Sequence, residues 1–236
     1  MRVNMSEGVP KLPKSMLEGR YLAERPLVRG ETVDVFAGMD TWSGEQVAIR
    51  RLRPDRLERG PHFRRKSERL FGTTSARLVR AIHFGDDRVD IPFLVTELLH
   101  GRSAEALGKV RWEVAAELTR QAAMALSEFA VLECFHGSLE PSTIFVANSI
   151  EGGARVKLLD LGVGDCHASA EGDARDLARV LRLLVAGNLE QEEIPGAPVR
   201  LGPLVTYWMD IAEATPAEIA GELKSLLDAS QELPRY

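Results

Sequence analysis

A change of hydrophobic period partway along the chain limits most strongly what it can fold into. In Thr32–Gly38 (TVDVFAG) apolar residues recur at Val33, Val35 and Ala37, every second position, the spacing of a half-buried strand. A turn-rich stretch, Asp40–Glu45, separates this run from Gln46–Leu52 (QVAIRRL), which is strand-like again, so an antiparallel hairpin is expected. Phe63–Phe71 is charged and amphipathic and stops at Gly72, which predicts a helix. Further strands are expected at Arg77–Phe84 and Ile91–Glu97, joined by the turn GDDRVD. Beyond Gly101 the period lengthens. Within Trp112–Leu132, Val114, Ala115, Leu118, Ala122, Leu126, Phe129 and Ala130 fall on one helical stripe. Ser142–Ala147 and Arg155–Leu161 are short apolar runs on either side of the turn Ser149–Gly153. Asp173–Ala186 reads as a helix stopped by Gly187, with Leu204–Ala212 and Pro216–Leu227 as closing helices and Thr215 as N-cap of the last. A strand-rich half with one helix precedes a mainly helical half, an α+β arrangement.

Composition excludes several classes of function. Of 236 residues, 44% are hydrophobic and 28% charged, enough apolar material for a substantial core. The net charge of -5 argues against a general nucleic-acid binder. No stretch approaches the roughly 18 apolar residues of a membrane span. Residues 1–18 show little periodicity and no apolar signal-peptide core, and are expected to form a flexible leader. Cys134 and Cys166 lack metal-ligand spacing and fit a reducing cytoplasm. No cofactor is expected. Cations crowd one segment, where Arg53, Arg56, Arg59, Arg64, Arg65 and Arg69 make a candidate docking surface for a protein partner of acidic character. Homo-oligomerisation is compatible with the same composition.

Six segments, in order, resemble those of the bacterial Hanks-type serine/threonine protein kinases. Tyr21–Asp40 stands where that family has its glycine-rich strand-turn-strand. Val47-Ala48-Ile49-Arg50 is similar to the VAIK strand, and Phe63-Arg64-Arg65 opens the counterpart of helix C. Phe93–Leu98 resembles the last strand of the first lobe and the hinge, with Thr96 as gatekeeper. His136–Thr143 (HGSLEPST) lies where HRDLKPxN belongs, Lys157–Gly162 (KLLDLG) resembles the metal-binding segment, and Asp173 fits the aspartate that begins helix F. The resemblance implies a bilobal kinase-like fold: residues 19–99 as an N-lobe with a five-stranded antiparallel sheet and helix C, residues 100–236 as a reduced C-lobe. Only ten residues separate Gly162 from Asp173, which implies loss of the activation segment, and the link from Gly187 to Leu204 is too short for helix G.

Residue by residue, the resemblance also implies damaged chemistry. Phosphoryl transfer needs a phosphate cradle, cations, metal ligands and a group that orients the acceptor hydroxyl. In the run Val28–Val33 only Gly30 survives of the cradle glycines. Arg50 replaces the lysine, and Lys66 stands where helix C carries its glutamate. Ser138 replaces the catalytic aspartate, Glu140 the following lysine, and Thr143 the second metal ligand, leaving Asp160 alone of the metal-binding set. A vestigial nucleotide pocket would comprise Gly30, Val35, Ala48, Thr96, Phe145 and Asp160. Leu70, Ala81, Leu161 and His136 match the regulatory spine, tied to Asp173. Asp160 is expected to pair with Arg50 or Lys66. From these residues the chain is expected to be a pseudokinase and no enzyme, binding no metal and acting as a protein-interaction scaffold or allosteric subunit. A nucleotide-sensing switch and an atypical phosphotransferase are the alternatives. Asp86, Asp87, His83 and His100 read as solvated turn residues.

Overall fold

Strand Pro92–Glu97 (PFLVTE) is buried at every position but Glu97, and apolar from Pro92 to Val95, because it lies inside a sheet between two neighbours. The computed structural model describes residues 16–71, 73, 75–147, 155–159, 168–194, 196–210 and 213–232. They fall into two compact units, one made by the chain through Thr73 with Arg80–Leu99, the other by the stretch ending at Val79 with the chain from His100 onward.

The first unit holds a six-stranded antiparallel sheet in the order β1 (Met16–Leu17), β2 (Tyr21–Arg29), β3 (Val33–Asp40), β4 (Gln46–Leu52), β6 (Pro92–Glu97), β5 (Ala81–Asp86). The hairpin expected from the alternation is β3–β4, in register from Val33 opposite Leu52 to Met39 opposite Gln46. On one face Leu17, Tyr21, Phe36, Val47, Ile49, Phe93 and Val95 form a continuous core. Each buries about 1.5–3 kcal/mol of transfer free energy. Helix α1 (Gly60–Phe71) packs against β5 and β6 through a stripe of Phe63, Lys66, Ser67 and Leu70.

Two expectations need correction here. The segment 1–18 is not wholly outside the fold, because Leu17 is 5% exposed and Met16–Leu17 adds a short strand to the edge of the five long ones. The strand expected over Arg77–Phe84 is split. Leu78 and Val79 are buried with the second unit, where Leu158 N–H donates to Arg77 O at 3.0 Å, and β5 begins only at Ala81. Both runs are apolar, so periodicity alone cannot assign them to different partners.

The second unit carries a small antiparallel sheet, β7 (Gly101–Ser103), β8 (Ile144–Ala147) and β9 (Arg155–Leu158), and five helices among its described residues. These are α2 (Ala104–Leu107), α3 (Trp112–Ala130), α4 (Ala170–Ala186), α5 (Leu201–Asp210) and α6 (Pro216–Glu232). Ala115, Ala116, Ala122, Ala123 and Ala125 of α3 are all fully buried. Such small side chains let α4 and α6 approach the α3 backbone closely. Val114, expected on the buried stripe, is 37% exposed. The N-cap expected at Thr215 is present as a capping box: Glu218 N–H donates to Thr215 Oγ1 at 3.3 Å and Thr215 N–H to Glu218 Oε2 at 2.7 Å. Gly187 ends α4 with φ 80°. Helix α4 begins three residues before Asp173, at Ala170, because Ser169 caps it by accepting the Gly172 N–H. Among the described residues, 188–200 contain no helix. The turn Ser149–Gly153 and Cys166 lie outside the described residues.

Gly38 sits where a Cβ would come within 2.9 Å of Ile49 Cδ1 and closer still to Leu22 O, so β2 and β3 can pair there only around a glycine. Gly38→Ala is expected to destabilise the chain by about 2 kcal/mol, read as a lower urea midpoint at unchanged slope.

Candidate functional site

Asp173 is 2% exposed and sits in the first turn of α4, where helix dipoles favour a carboxylate. Its Oδ2 accepts the His136 N–H at 2.7 Å and its Oδ1 the Gly137 N–H at 2.8 Å. Gly137 adopts φ 75°, a conformation that favours glycine, which lets both N–H groups turn toward one side chain. His136 is fully buried, and its Nε2 lies 2.8 Å from Leu159 O. These contacts fix the loop His136–Thr143 on the helical unit. Of the residues expected in the spine, His136 and Leu70 are buried, Ala81 is half-buried, and Asp173 holds the loop through the His136 and Gly137 N–H groups. Leu161 lies outside the described residues.

Within that loop the candidate residues take different places. Ser138 and Glu140 are exposed. Thr143 is buried, and its hydroxyl accepts the Glu140 N–H at 3.1 Å and donates to Glu140 O at 2.9 Å, so it closes the turn on itself. Asp176, one turn after Asp173, pairs with Arg179 at 3.1 Å. Burial raises its carboxyl above the ordinary aspartate value, opposed by Arg179 and by the Leu139 N–H.

A cleft of about 790 Å³ follows α4 from this loop. Leu139, Val180, Leu183, Leu184 and Leu189 form its apolar lining. At the loop end stand the carboxylates of Glu105, Glu140 and Asp176, the first placed there because its N–H donates to Pro141 O at 3.0 Å. At the other end Lys109 lies against Gly187 and leaves no room for a side chain there. Sequence reasoning missed Glu105, Lys109 and Leu183. No motif marks them, and only the fold of α2 beside α4 brings them together.

The first unit collects another set. Register places Val35 opposite Arg50 and Arg50 opposite Leu94, then Ala37 opposite Ala48 and Ala48 opposite Thr96, so Val35, Ala48, Arg50 and Thr96 share one face of the sheet. Arg50 and Lys66 are each 6% exposed, and burial pushes the Arg50 guanidinium down to about 10. Gly30 closes its own turn: its N–H donates to Val33 O at 3.0 Å, and a Cβ there would meet the same oxygen at 2.5 Å. Phe145 belongs to the second unit, in β8. Asp160 lies outside the described residues, and so does its expected pairing with Arg50 or Lys66.

Two of the six arginines of the expected basic surface, Arg53 and Arg64, carry carboxylate partners. Arg53 forms two bonds with Asp55, at 2.9 and 3.1 Å, and Arg64 pairs with Asp86 at 2.5 Å. Arg56 donates to Glu31 O at 3.2 Å, and Arg69 is half-buried. Arg59 and Arg65 are exposed. Asp86 and Asp87 are therefore more than solvated turn residues: Asp87 also accepts Arg51 at 2.5 Å and the N–H groups of Val89 and Ile91. His83 lies in β5, stacked on Tyr21 and 2.7 Å from Glu18.

This loop, lock and sheet define a protein kinase-like fold, and comparison with known proteins agrees. The kinase domain of Mycobacterium tuberculosis PknI matches with a TM-score of 0.77 at 15% identity, covering 90% of this chain and 98% of that one. A probable serine/threonine-protein kinase of Streptomyces coelicolor is 29% identical over 169 residues, 67% of this chain and 24% of that protein. The serine/threonine-protein kinase pkn2 of Myxococcus xanthus is 29% identical over 154 residues, 63% of this chain and 18% of its own length. The chain thus spans about a quarter or less of these relatives. No family model matches it. The chain is similar in sequence to bacterial Hanks-type serine/threonine protein kinases and has their fold.

The expectation that the chain is no enzyme is corrected by these findings. The relatives are named as serine/threonine protein kinases and the matching structure is a kinase domain, so the resemblance points to an enzyme class. Among the described residues no helix is long and apolar enough to cross a membrane.

Two variants test the loop's support. Asp173→Ala strips the acceptor from two backbone N–H groups and is expected to cost about 3 kcal/mol or more in a denaturant titration. For Asp176 the sign is opposite. An acid whose folded pKa is raised favours folding while protonated and loses that contribution as pH rises through the raised value. Asp176→Asn is expected to melt above the parent at about pH 7, and the gap should close below the ordinary aspartate value of about 3.9.

Proposed function

We propose that this chain acts in bacterial signalling as a kinase-fold module that holds an extended segment of a partner protein in the cleft along α4. The observation that carries the reading is the cleft's polarity: carboxylates of Glu105 and Glu140 at the loop end, leucines along its length, and Lys109 at the far end. An occupant complementary to it has a basic residue beside Glu140, then apolar side chains over Leu183 and Leu184. Binding there would present the segment to other signalling components, the work of a scaffold or allosteric subunit. The arginine segment around α1 supports partner docking less well, because Arg53 and Arg64 already carry carboxylate partners.

A second reading, phosphoryl transfer to the held segment, is favoured by the relatives, which are all named kinases. The cleft begins at Ser138, so an acceptor hydroxyl on a bound segment would lie beside the loop that family uses.

A peptide array probed with the full chain tests the first reading. Peptides with a basic residue followed by two apolar ones are expected to be retained, and Glu140→Lys or Leu183→Asp to weaken retention roughly tenfold. Retention without sequence preference, or unchanged in both variants, overturns it. The retained peptide, incubated with γ-labelled ATP and Mg²⁺, then tests the second: label on the peptide supports transfer, and none removes that reading.

A further inference from the structure

A second cleft, of about 470 Å³, opens between α3 and α6 on residues that the loop and the α4 cleft do not use. Val114, Leu118 and Leu227 give it an apolar lining, and α3 and α6 pack extensively along their length. Its lining spans Glu113 to Arg120 on α3, about two helical turns or roughly 10 Å. Val114 is 37% exposed although it belongs to the apolar stripe of its helix.

The charges around this cleft are not balanced. Arg120 is taken by Glu117, with bonds at 2.7 and 2.8 Å, and Gln121 donates to the same carboxylate at 2.8 Å. Glu113, Asp228 and Lys224 make no salt bridge among the described residues, although Asp228 lies in the field of the Arg120 guanidinium. One oxygen of Glu113 is shut off from solvent and accepts no hydrogen bond. A desolvated carboxylate gains more from a nearby cation than one in open water does. Three acids, Glu113, Glu117 and Asp228, against the two cations Arg120 and Lys224 leave the cleft net negative, with an aliphatic floor. A guanidinium or ammonium on an alkyl stem matches both features, since the stem covers apolar surface while the head stays near the carboxylates.

We propose that the α3–α6 cleft is a docking site for about two turns of a basic amphipathic helix from a protein partner, a leucine–arginine face laid against Val114, Leu118 and Leu227 with arginine beside Glu113 and Asp228. The site is independent of the α4 cleft: its occupant is helical rather than extended, and it shares no lining residue.

The test uses the full chain and an alanine-based helical peptide bearing a Leu-Arg pair on successive turns, followed through the methyl resonances of Val114, Leu118 and Leu227. Saturable shifts at these methyls are expected, with affinity lowered roughly threefold by Glu113→Gln and raised by a similar factor in Lys224→Glu, since each changes one exposed charge pair. Glu140→Lys, in the other cleft, should leave the affinity unchanged, which separates failure here from failure there. No shifts, shifts of equal size with a matching Leu-Glu peptide, or an affinity indifferent to both cleft variants would overturn the proposal. Binding of hexylguanidinium but not of the peptide would assign the cleft to a small amine and overturn it as well. Shifts that grow with protein concentration alone would place a second copy there, with the same consequence.

Discussion

The grip of Asp173 on two consecutive backbone N–H groups is the contact on which the rest of the second unit depends. It joins α4 to the loop His136–Thr143, and His136 passes the constraint on to Leu159 and so to the end of β9. A buried carboxylate is costly unless its oxygens are hydrogen-bonded, and here each oxygen has a backbone donor. Because the acceptor is a helix side chain and the donors are main chain, the geometry does not depend on the identity of the loop's exposed side chains. Thr143 adds a second closure within the same loop, and its carbonyl accepts the Leu159 N–H at 2.8 Å. The loop is held from both ends.

The first unit solves a different problem, that of many cations on a short stretch. Arg51 and Arg64 are tied to Asp87 and Asp86, neighbours at the end of β5, so one strand end neutralises charge on both β4 and α1. Arg20 shows the same economy: it bonds Asp40 at 2.6 and 2.9 Å, holds that carboxyl well below the usual range, and stacks on Trp42 with its guanidinium carbon 4.7 Å from the ring centre. The exposed Arg64–Asp86 pair contributes little to stability, whereas the Asp40 and Asp87 carboxylates are shielded and need their arginines. Trp42 remains 74% exposed on a turn that Asp40 braces by accepting the Trp42 N–H.

The elements that could be read from the sequence are those whose pattern is local. Alternation in Thr32–Gly38 and Gln46–Leu52 specified the hairpin, and Thr215-Pro216 specified the start of α6. His136 and Asp173 were legible through their resemblance to a known loop and helix. The edge strand Met16–Leu17 was not, since two residues carry no period, and it is held by Leu17 in the core and by Glu18 on His83. The place of Leu78 was hidden because its partner, Leu158, lies far along the chain. A count of arginines along the sequence likewise cannot see that Arg64 meets Asp86, more than twenty residues later.

The same distinction explains which positions of the loop carry its resemblance to that of a kinase. The positions that give the resemblance its shape, His136, Gly137 and Asp173, are tightly packed, torsionally special or hydrogen-bonded, and replacing them would leave buried groups without partners. Ser138 and Glu140 are exposed, where substitution costs little stability. Fold similarity therefore follows the buried set and reports little about the exposed one. The backbone at the mouth of the α4 cleft is held independently of the charges that Glu105 and Glu140 present there. Under the proposed function, recognition would rest on Glu105, Glu140 and Lys109, and a change of those side chains would alter it without altering the backbone.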